Sequence, residues 1–232
     1  TTMDSVLMVV PQFHANSWGL VYSAPMSGAK LVLPGPNLDG KSTYDLITNE
    51  QVTFSAAVPT VWNIFSAYLE EIGGKLSTLR EVVIGGSAVP RSMIKIFDEK
   101  YDVKVLQAWG MTETNPLGTL NRAVPEVMAL DHEAQLDYAT KQGRPLVGVD
   151  IRIANEAGTS LPHDGKTPGR LMVRGPWVIQ SYYGLEESVL DADGWFDTSD
   201  IATIDELGFM QITDRAKDVI KSGGEWISSV DL

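Results

Sequence analysis

The sequence predicts an α/β fold: a parallel sheet flanked by helices, followed by a small antiparallel, β-barrel-like unit. Three observations carry this. Short apolar runs recur through the first half without polar alternation, as in strands buried on both faces. Stretches with helical spacing separate them. After about residue 145 the runs shorten and close turn signals divide them, which is the grammar of antiparallel strands.

The expected parallel strands are 6–10 (VLMVV), 30–33 (KLVL), 52–58 (VTFSAAV), 81–84 (EVVI) and 103–107 (VKVLQ). Residues 59–73 read as a helix, with Val61, Ile64, Phe65, Tyr68, Leu69 and Ile72 on one face. Pro59 near its start and Gly73 near its end are the usual punctuation. Residues 90–101 repeat the form, with Met93, Phe97 and Tyr101 four apart. Residues 17–28 (SWGLVYSAPMSG) also read as helical, and 120–140 as a loop with a short helix. In the second unit, strands are expected at 149–154, 170–174 and 209–213, separated by NEAG, HDGKTPG, DADG and DELG. The expected organisation is 1–145 as the α/β unit, 146–213 as the small β unit, and 214–232 as the start of a further unit. The chain opens just before an apolar run and stops on SSVDL in mid-pattern, so a piece of a longer protein is expected.

Composition excludes several classes. Thirty acidic against eighteen basic residues give a formal charge of −12, which repels nucleic acid. With no cysteine there is no disulfide framework, thiol nucleophile or cysteine metal site. No apolar run approaches the ~20 residues of a bilayer span, and the first residues lack the basic region and cleavage site of a signal peptide.

In an open α/β sheet, ligands bind beyond the carboxyl ends of the strands. Two such ends are unusual: Gly85-Gly86-Ser87 after EVVI, and Ala108-Trp109-Gly110-Met111-Thr112-Glu113 after VKVLQ. The glycines either let a flat ligand or phosphate approach the backbone or simply make a tight turn. At the second end an exposed indole, a hydroxyl and a carboxylate fall together. A carboxylate there must be solvated, paired or bound to metal.

Taken together, the motifs resemble the adenylate-forming superfamily, which includes acyl-CoA synthetases, adenylation domains and beetle luciferases. The matching stretches, in family order, are PQFHANSWG (11–19), GGSAVP (85–90), QAWGMTE (107–113), QGRPLVG (142–148), GWFDTSD (194–200) and DRAKDVIKSGGEWISS (214–229). The wording is most similar to the fatty acyl-CoA synthetase branch. The resemblance implies ATP-dependent activation of a fatty acid to an acyl-adenylate, then thioester formation with coenzyme A. It implies ATP, Mg²⁺ and coenzyme A as cofactor and co-substrates. Ligases for short-chain, aryl or methylthio acids, and a non-catalytic nucleotide-binding relative, are the alternatives.

The resemblance also implies roles. Glu113 would hold Mg²⁺ and Thr112 a phosphate, the two being the catalytic pair. Gly85, Gly86, Ser87, Gln107, Ala108, Trp109, Gly110 and Met111 would line the nucleotide, with the Trp109 face on adenine. Asp200 would accept the ribose hydroxyls and Arg215 would reach ribose or phosphate. The family usually has glycine where this chain has Ser199. His14 and Trp18, four apart, would line the acyl side, with Trp18 as a gate. Asp214 would be a hinge, and Lys217, Lys221 and Trp226 would face AMP or the pantetheine arm of coenzyme A. The family's phosphate loop and the rest of its C-terminal domain fall outside these residues, so the chain alone is expected to be an incomplete enzyme. A cytoplasmic setting is implied, with peripheral membrane contact and a homodimer left open.

Overall fold

The computed structural model describes residues 1–215, 220–222 and 225–227. The expected parallel strands form as β1 (Ser5–Met8), β2 (Lys30–Val32), β3 (Phe54–Ala57), β4 (Glu81–Ile84) and β5 (Lys104–Gly110). The chain then turns back through β6 (Leu117–Leu120) and β7 (Arg144–Pro145), which pair antiparallel to complete a seven-stranded sheet of order β2-β1-β3-β4-β5-β6-β7. β1 is buried throughout, as expected for a strand covered on both faces.

Crossovers between the parallel strands use the turn α1 (Ala15–Trp18) and the helices α2 (Leu20–Met26), α3 (Gly40–Asn49), α4 (Pro59–Ile72) and α5 (Arg91–Tyr101). α3 was not anticipated. Its start is set by Asp39, whose carboxylate accepts a bond from the Ser42 amide at 2.9 Å, an N-cap. α4 begins on Pro59 and ends on left-handed Gly73, as the punctuation predicts. Its buried face overlaps the one read from the sequence at Phe65 and Leu69 but is rotated towards Trp62. Trp62, Phe65 and Leu69 are inside, while Ile64 and Ile72 are exposed. The bulky indole decides the rotation: Trp62 packs edge-on against Phe97 of α5 with ring centroids 5.7 Å apart, a favoured aromatic geometry. Met93, Phe97 and Tyr101 are buried as expected.

The segment expected as one loop with a short helix holds two helices, α6 (Pro125–Met128) and α7 (His132–Ala139). Ion pairs dock α7 on α5. Arg91 bonds Asp137 and Glu133 at 2.6 Å each, and Lys95 bonds Glu133 at 2.8 Å. Bonds from Lys95 and then Arg91 bring the Glu133 carboxyl from its ordinary 4.5 down to about 2. A carboxyl lowered in the folded state stabilises above its ordinary pKa and loses that contribution as pH falls through its folded value. The melting-temperature gap between wild type and Glu133→Gln is therefore expected to be widest above pH 4.5 and to close towards pH 2. Salt should narrow it, because these side chains are 36–59% exposed. A gap independent of pH would remove the ion pairs as its cause.

The second unit is a four-stranded antiparallel sheet of order β11-β10-β9-β8, made of β8 (Asp150–Ala154), β9 (Gly169–Arg174), β10 (Phe196–Ile204) and β11 (Met210–Arg215). β10 was missed in the sequence because its first half, FDTSD, reads as turn chemistry. It is nonetheless the longest strand and a central one. A short pair, β12 (Ile220–Ser222) with β13 (Glu225–Ile227), follows. Each sheet has its own apolar core: one around Trp62, Phe65, Leu69 and Phe97, the other around Ile153, Leu171, Val173, Ile204 and Met210. Trp109 belongs to the second core although its strand belongs to the first sheet.

Candidate active site

A cleft of about 170 Å³ opens at the carboxyl ends of β1, β4 and β5. It is lined by His14, Ala15 and Trp18 after β1, Gly85 and Gly86 after β4, and Ala108, Gly110, Met111 and Thr112 at the end of β5. Pro116 and Leu117 complete the wall. This is where an open α/β sheet offers a ligand its entry.

The His14–Trp18 segment is not the helix that the spacing suggested. Ala15 to Trp18 all have positive φ, 38° and then 54°, and Gly19 follows at 77°. Four non-glycine residues in the left-handed region are strained, at roughly 1–2 kcal/mol each. Such strain collects where packing or function demands it. Regular helix starts only at Leu20. His14 and Trp18 still reach the same cleft, but they do so through a left-handed turn.

Gly85 is buried between strands. A Cβ there would lie 2.9 Å from the Ala108 carbonyl oxygen and 3.4 Å from the Trp18 ring. Gly86 turns the chain with φ +83°. The turn expected of the pair is present at Gly86, and the close approach seen at Gly85 is to the chain's own Ala108 and Trp18. Ser87 is exposed and does not line the cleft.

β5 does not give way to a loop before Trp109. It continues to Gly110, and β6 pairs back onto it. The indole is accordingly buried, 7% exposed, and not the exposed ring that was expected. It lies against Gly118, where a Cβ would come within 2.3 Å of the ring. Its Nε1 donates to Asp200 Oδ2 at 2.8 Å. One hydrogen bond thus ties the signature strand of the first sheet to the second sheet.

Asp200 is partly buried, and its own amide is held by Thr198 Oγ1 at 3.1 Å. An ionised carboxylate offers about four acceptor directions, and the Trp109 bond takes one of them. The preceding Ser199 has φ +62°. The backbone adopts there the conformation that favours glycine, and serine tolerates it with its amide bonded to Asp197 at 2.9 Å.

Beyond Gly110 the chain makes a tight 3₁₀ turn, Thr112–Thr114. Thr114 is fully buried and organises it: its hydroxyl donates to the Pro116 carbonyl at 2.6 Å and accepts from the Met111 amide at 2.9 Å. This turn presents Thr112 to the cleft with Glu113 beside it. Tyr182 Oη donates to Glu113 Oε1 at 2.8 Å, and the Ile179 amide to the Glu113 carbonyl at 2.8 Å. That bond raises the Tyr182 phenol above its ordinary pKa, assisted by desolvation and by the Glu113 charge. Tyr182 was not picked out in the sequence; its only signal is the aromatic pair of SYYG.

Gln107, expected at the nucleotide, is 1% exposed and hydrogen-bonded inside the fold. Asp214 is buried within β11, opposite Ile201. Arg215, Lys221 and Trp226 are placed only as members of β11, β12 and β13, their side chains lying outside the described residues, as does Lys217 altogether.

Among the described residues no three metal-ligating side chains cluster. Mg²⁺ does not need such a cluster, since one or two carboxylates plus substrate phosphates commonly suffice. Glu113, next to cleft-lining Thr112, fits that donor set.

A model of the AMP-binding enzyme family matches residues 1–183. The chain belongs to the AMP-binding enzyme family. It is 50% identical over 232 residues to a 3-methylmercaptopropionyl-CoA ligase of Ruegeria lacuscaerulensis, covering 100% of this chain and 43% of that one. It is 51% identical over 229 residues to a medium-chain-fatty-acid–CoA ligase of Ectopseudomonas oleovorans, covering 99% and 42%. Among solved structures it resembles o-succinylbenzoate coenzyme A synthetase of Bacillus subtilis in complex with ATP and magnesium ion. The TM-score there is 0.82 and the identity 27%, over 100% of this chain and 46% of that one. The chain thus spans less than half the length of these AMP-binding relatives. The adenylate-forming resemblance and the mixed α/β architecture both hold. No described helix is long and apolar enough to cross a membrane.

Proposed function

We propose that this chain is part of an ATP-dependent acyl-CoA ligase acting on fatty acids. The observation that carries the reading is the single cleft wall formed by Gly85, Gly86, Gly110, Met111 and Thr112 beside Trp18, Pro116 and Leu117. It joins a backbone-lined, glycine-rich surface to an apolar one, which is what an acyl-adenylate presents.

In the first step a carboxylate oxygen of the acid bonds to the α-phosphorus of ATP, and the bond to the bridging oxygen breaks, releasing pyrophosphate. Both reactants are anionic, so alignment and charge neutralisation dominate the barrier. Bound at this site, Mg²⁺ would neutralise phosphate oxygens. Glu113 would hold it, with its carboxylate oriented by Tyr182. Thr112 would donate to a phosphate oxygen. Asp200 would accept the ribose hydroxyls, and Trp109 would fix Asp200 through its 2.8 Å bond. His14 and Trp18 would form the acyl wall. In the second step the coenzyme A sulfur bonds to the acyl carbon and AMP leaves.

A methylthio acid is the second reading. It rests on the near-equal identity to 3-methylmercaptopropionyl-CoA and fatty-acid ligases. One methylene changes apolar discrimination by only about 1–3 kcal/mol, so the residues of the wall do not by themselves separate the two.

Calorimetric titration of the chain with AMP, and then with a non-hydrolysable dodecanoyl-adenylate analogue, tests the reading. Saturable binding, at least about tenfold tighter for the acyl compound, is expected. Equal affinity for AMP and the analogue would remove the acyl wall from this cleft.

A further inference from the structure

Gln107 and Gln142 form a buried bridge between the two sheets. Gln142 Nε2 donates to Gln107 Oε1 at 3.1 Å, and Gln142 Oε1 accepts from the Ile212 amide of β11 at 2.7 Å. Gln107 Oε1 also accepts from the Val89 amide at 3.4 Å, and its Nε2 donates to the Ala139 carbonyl at 3.3 Å and to the Thr140 carbonyl. Facing those carbonyls, the Gln107 amide can present only its oxygen to Val89 and Gln142. Gln142 must then turn its oxygen to Ile212, so both amide orientations are determined. Gln142 is 8% exposed, and its backbone is held as well: its amide donates to the Met210 carbonyl at 3.0 Å and its carbonyl accepts from Thr119 Oγ1 at 2.7 Å.

The bridge closes a ring. Gln107 and Trp109 are two apart on β5 and so share a face. Trp109 bonds Asp200. Asp200 lies two residues before Ala202, which pairs with Ile212 across β10 and β11. Ile212 returns through Gln142 to Gln107. Trp109–Asp200 and the glutamine bridge are thus two of the tethers between the sheets, and the glutamine bridge also reaches Val89, three residues after Gly86.

We infer that Gln142 is a positioning residue that sets the spacing between the glycine wall at 85–86 and the Asp200 carboxylate. Its effect on substrate use rests on the ligase reading above. An amide suits this place because it donates at one end and accepts at the other without charge. Removing it leaves the Gln107 carbonyl and the Ile212 amide short of partners inside the fold.

The test uses the full-length ligase with Gln142→Leu, Gln107→Leu and the double variant. KM for ATP should rise about tenfold in each single variant and about tenfold, not a hundredfold, in the double one, because both break one bridge. KM for the acid should stay within about twofold. Equal rises in both KM values, or multiplicative effects in the double variant, would overturn the inference. If the leucine variants misfold, Gln142→Glu is read against wild type: it keeps an acceptor for Ile212 but sets a carboxylate oxygen against Gln107 Oε1, so KM for ATP should still rise about tenfold, and an unchanged value counts against the bridge. Should the wild type release no acid-dependent pyrophosphate, the ligase reading fails separately. Amide exchange then decides on the bridge: the Gln142 variants should speed exchange at Val89 and Ile212 together and spare β8 and β9. Acceleration confined to the neighbours of residue 142 would overturn it.

Discussion

Glu113→Gln in the full-length ligase is expected to lower acid-dependent pyrophosphate release about a hundredfold, or ~2.7 kcal/mol at about 1.36 kcal/mol per decade. The substitution is informative because it separates charge from shape. Glutamine keeps an oxygen where Glu113 Oε1 accepts from Tyr182 at 2.8 Å. The Ile179 amide bonds the backbone carbonyl, which is unchanged. What disappears is the negative charge that would hold Mg²⁺ against the phosphates. The Mg²⁺ concentration for half-maximal rate should rise in parallel. An unaltered rate and Mg²⁺ dependence would take Glu113 out of the metal assignment and leave it as a partner of Tyr182 alone.

Gly110→Ala is expected to cost about 3 kcal/mol or more of folding stability, the range of overpacking that the backbone cannot relieve. A Cβ at Gly110 would lie 1.9 Å from the Pro116 carbonyl oxygen, 2.9 Å from its carbon and 3.0 Å from Leu117 Cα. All three are backbone atoms, so no side-chain rotation makes room. Pro116 is itself tied by the Thr114 hydroxyl at 2.6 Å. Relief requires moving the turn that carries Thr112 and Glu113, so nucleotide binding should fail together with stability. Urea unfolding of the chain measures the first and calorimetry with AMP the second. A loss under about 1 kcal/mol would mean that the turn yields easily.

The two substitutions probe different parts of one short stretch, QAWGMTE. Glycine in this stretch suggested close approach, and the approach is real. The atoms that come close are those of the chain's own return through Pro116 and Leu117.

The sequence by itself determined the layered architecture. Parallel strands buried on both faces must be written as continuous apolar runs, so β1, β3, β4 and β5 are legible without neighbours. Pro59 and Gly73 mark the ends of α4 for reasons local to the backbone. The glycine and acidic positions at the ends of β4 and β5, and the family they point to, are equally local. Tertiary structure alone decided what those side chains touch. Trp62 claimed the inner face of α4 because Phe97, far along the chain, offers it an edge. Trp109 was read as exposed because its strand end was in view, while the covering strand β6 and its bond to Asp200, 91 residues away, were not. Gln107 was read as a ligand contact because Gln142, 35 residues on, and Ile212, 70 beyond that, give no local sign of meeting. Local pattern records which face of an element is apolar. It does not record which polar partner completes a buried hydrogen bond, because that partner is supplied by chain closure across the fold, and burial makes it obligatory only once the fold exists.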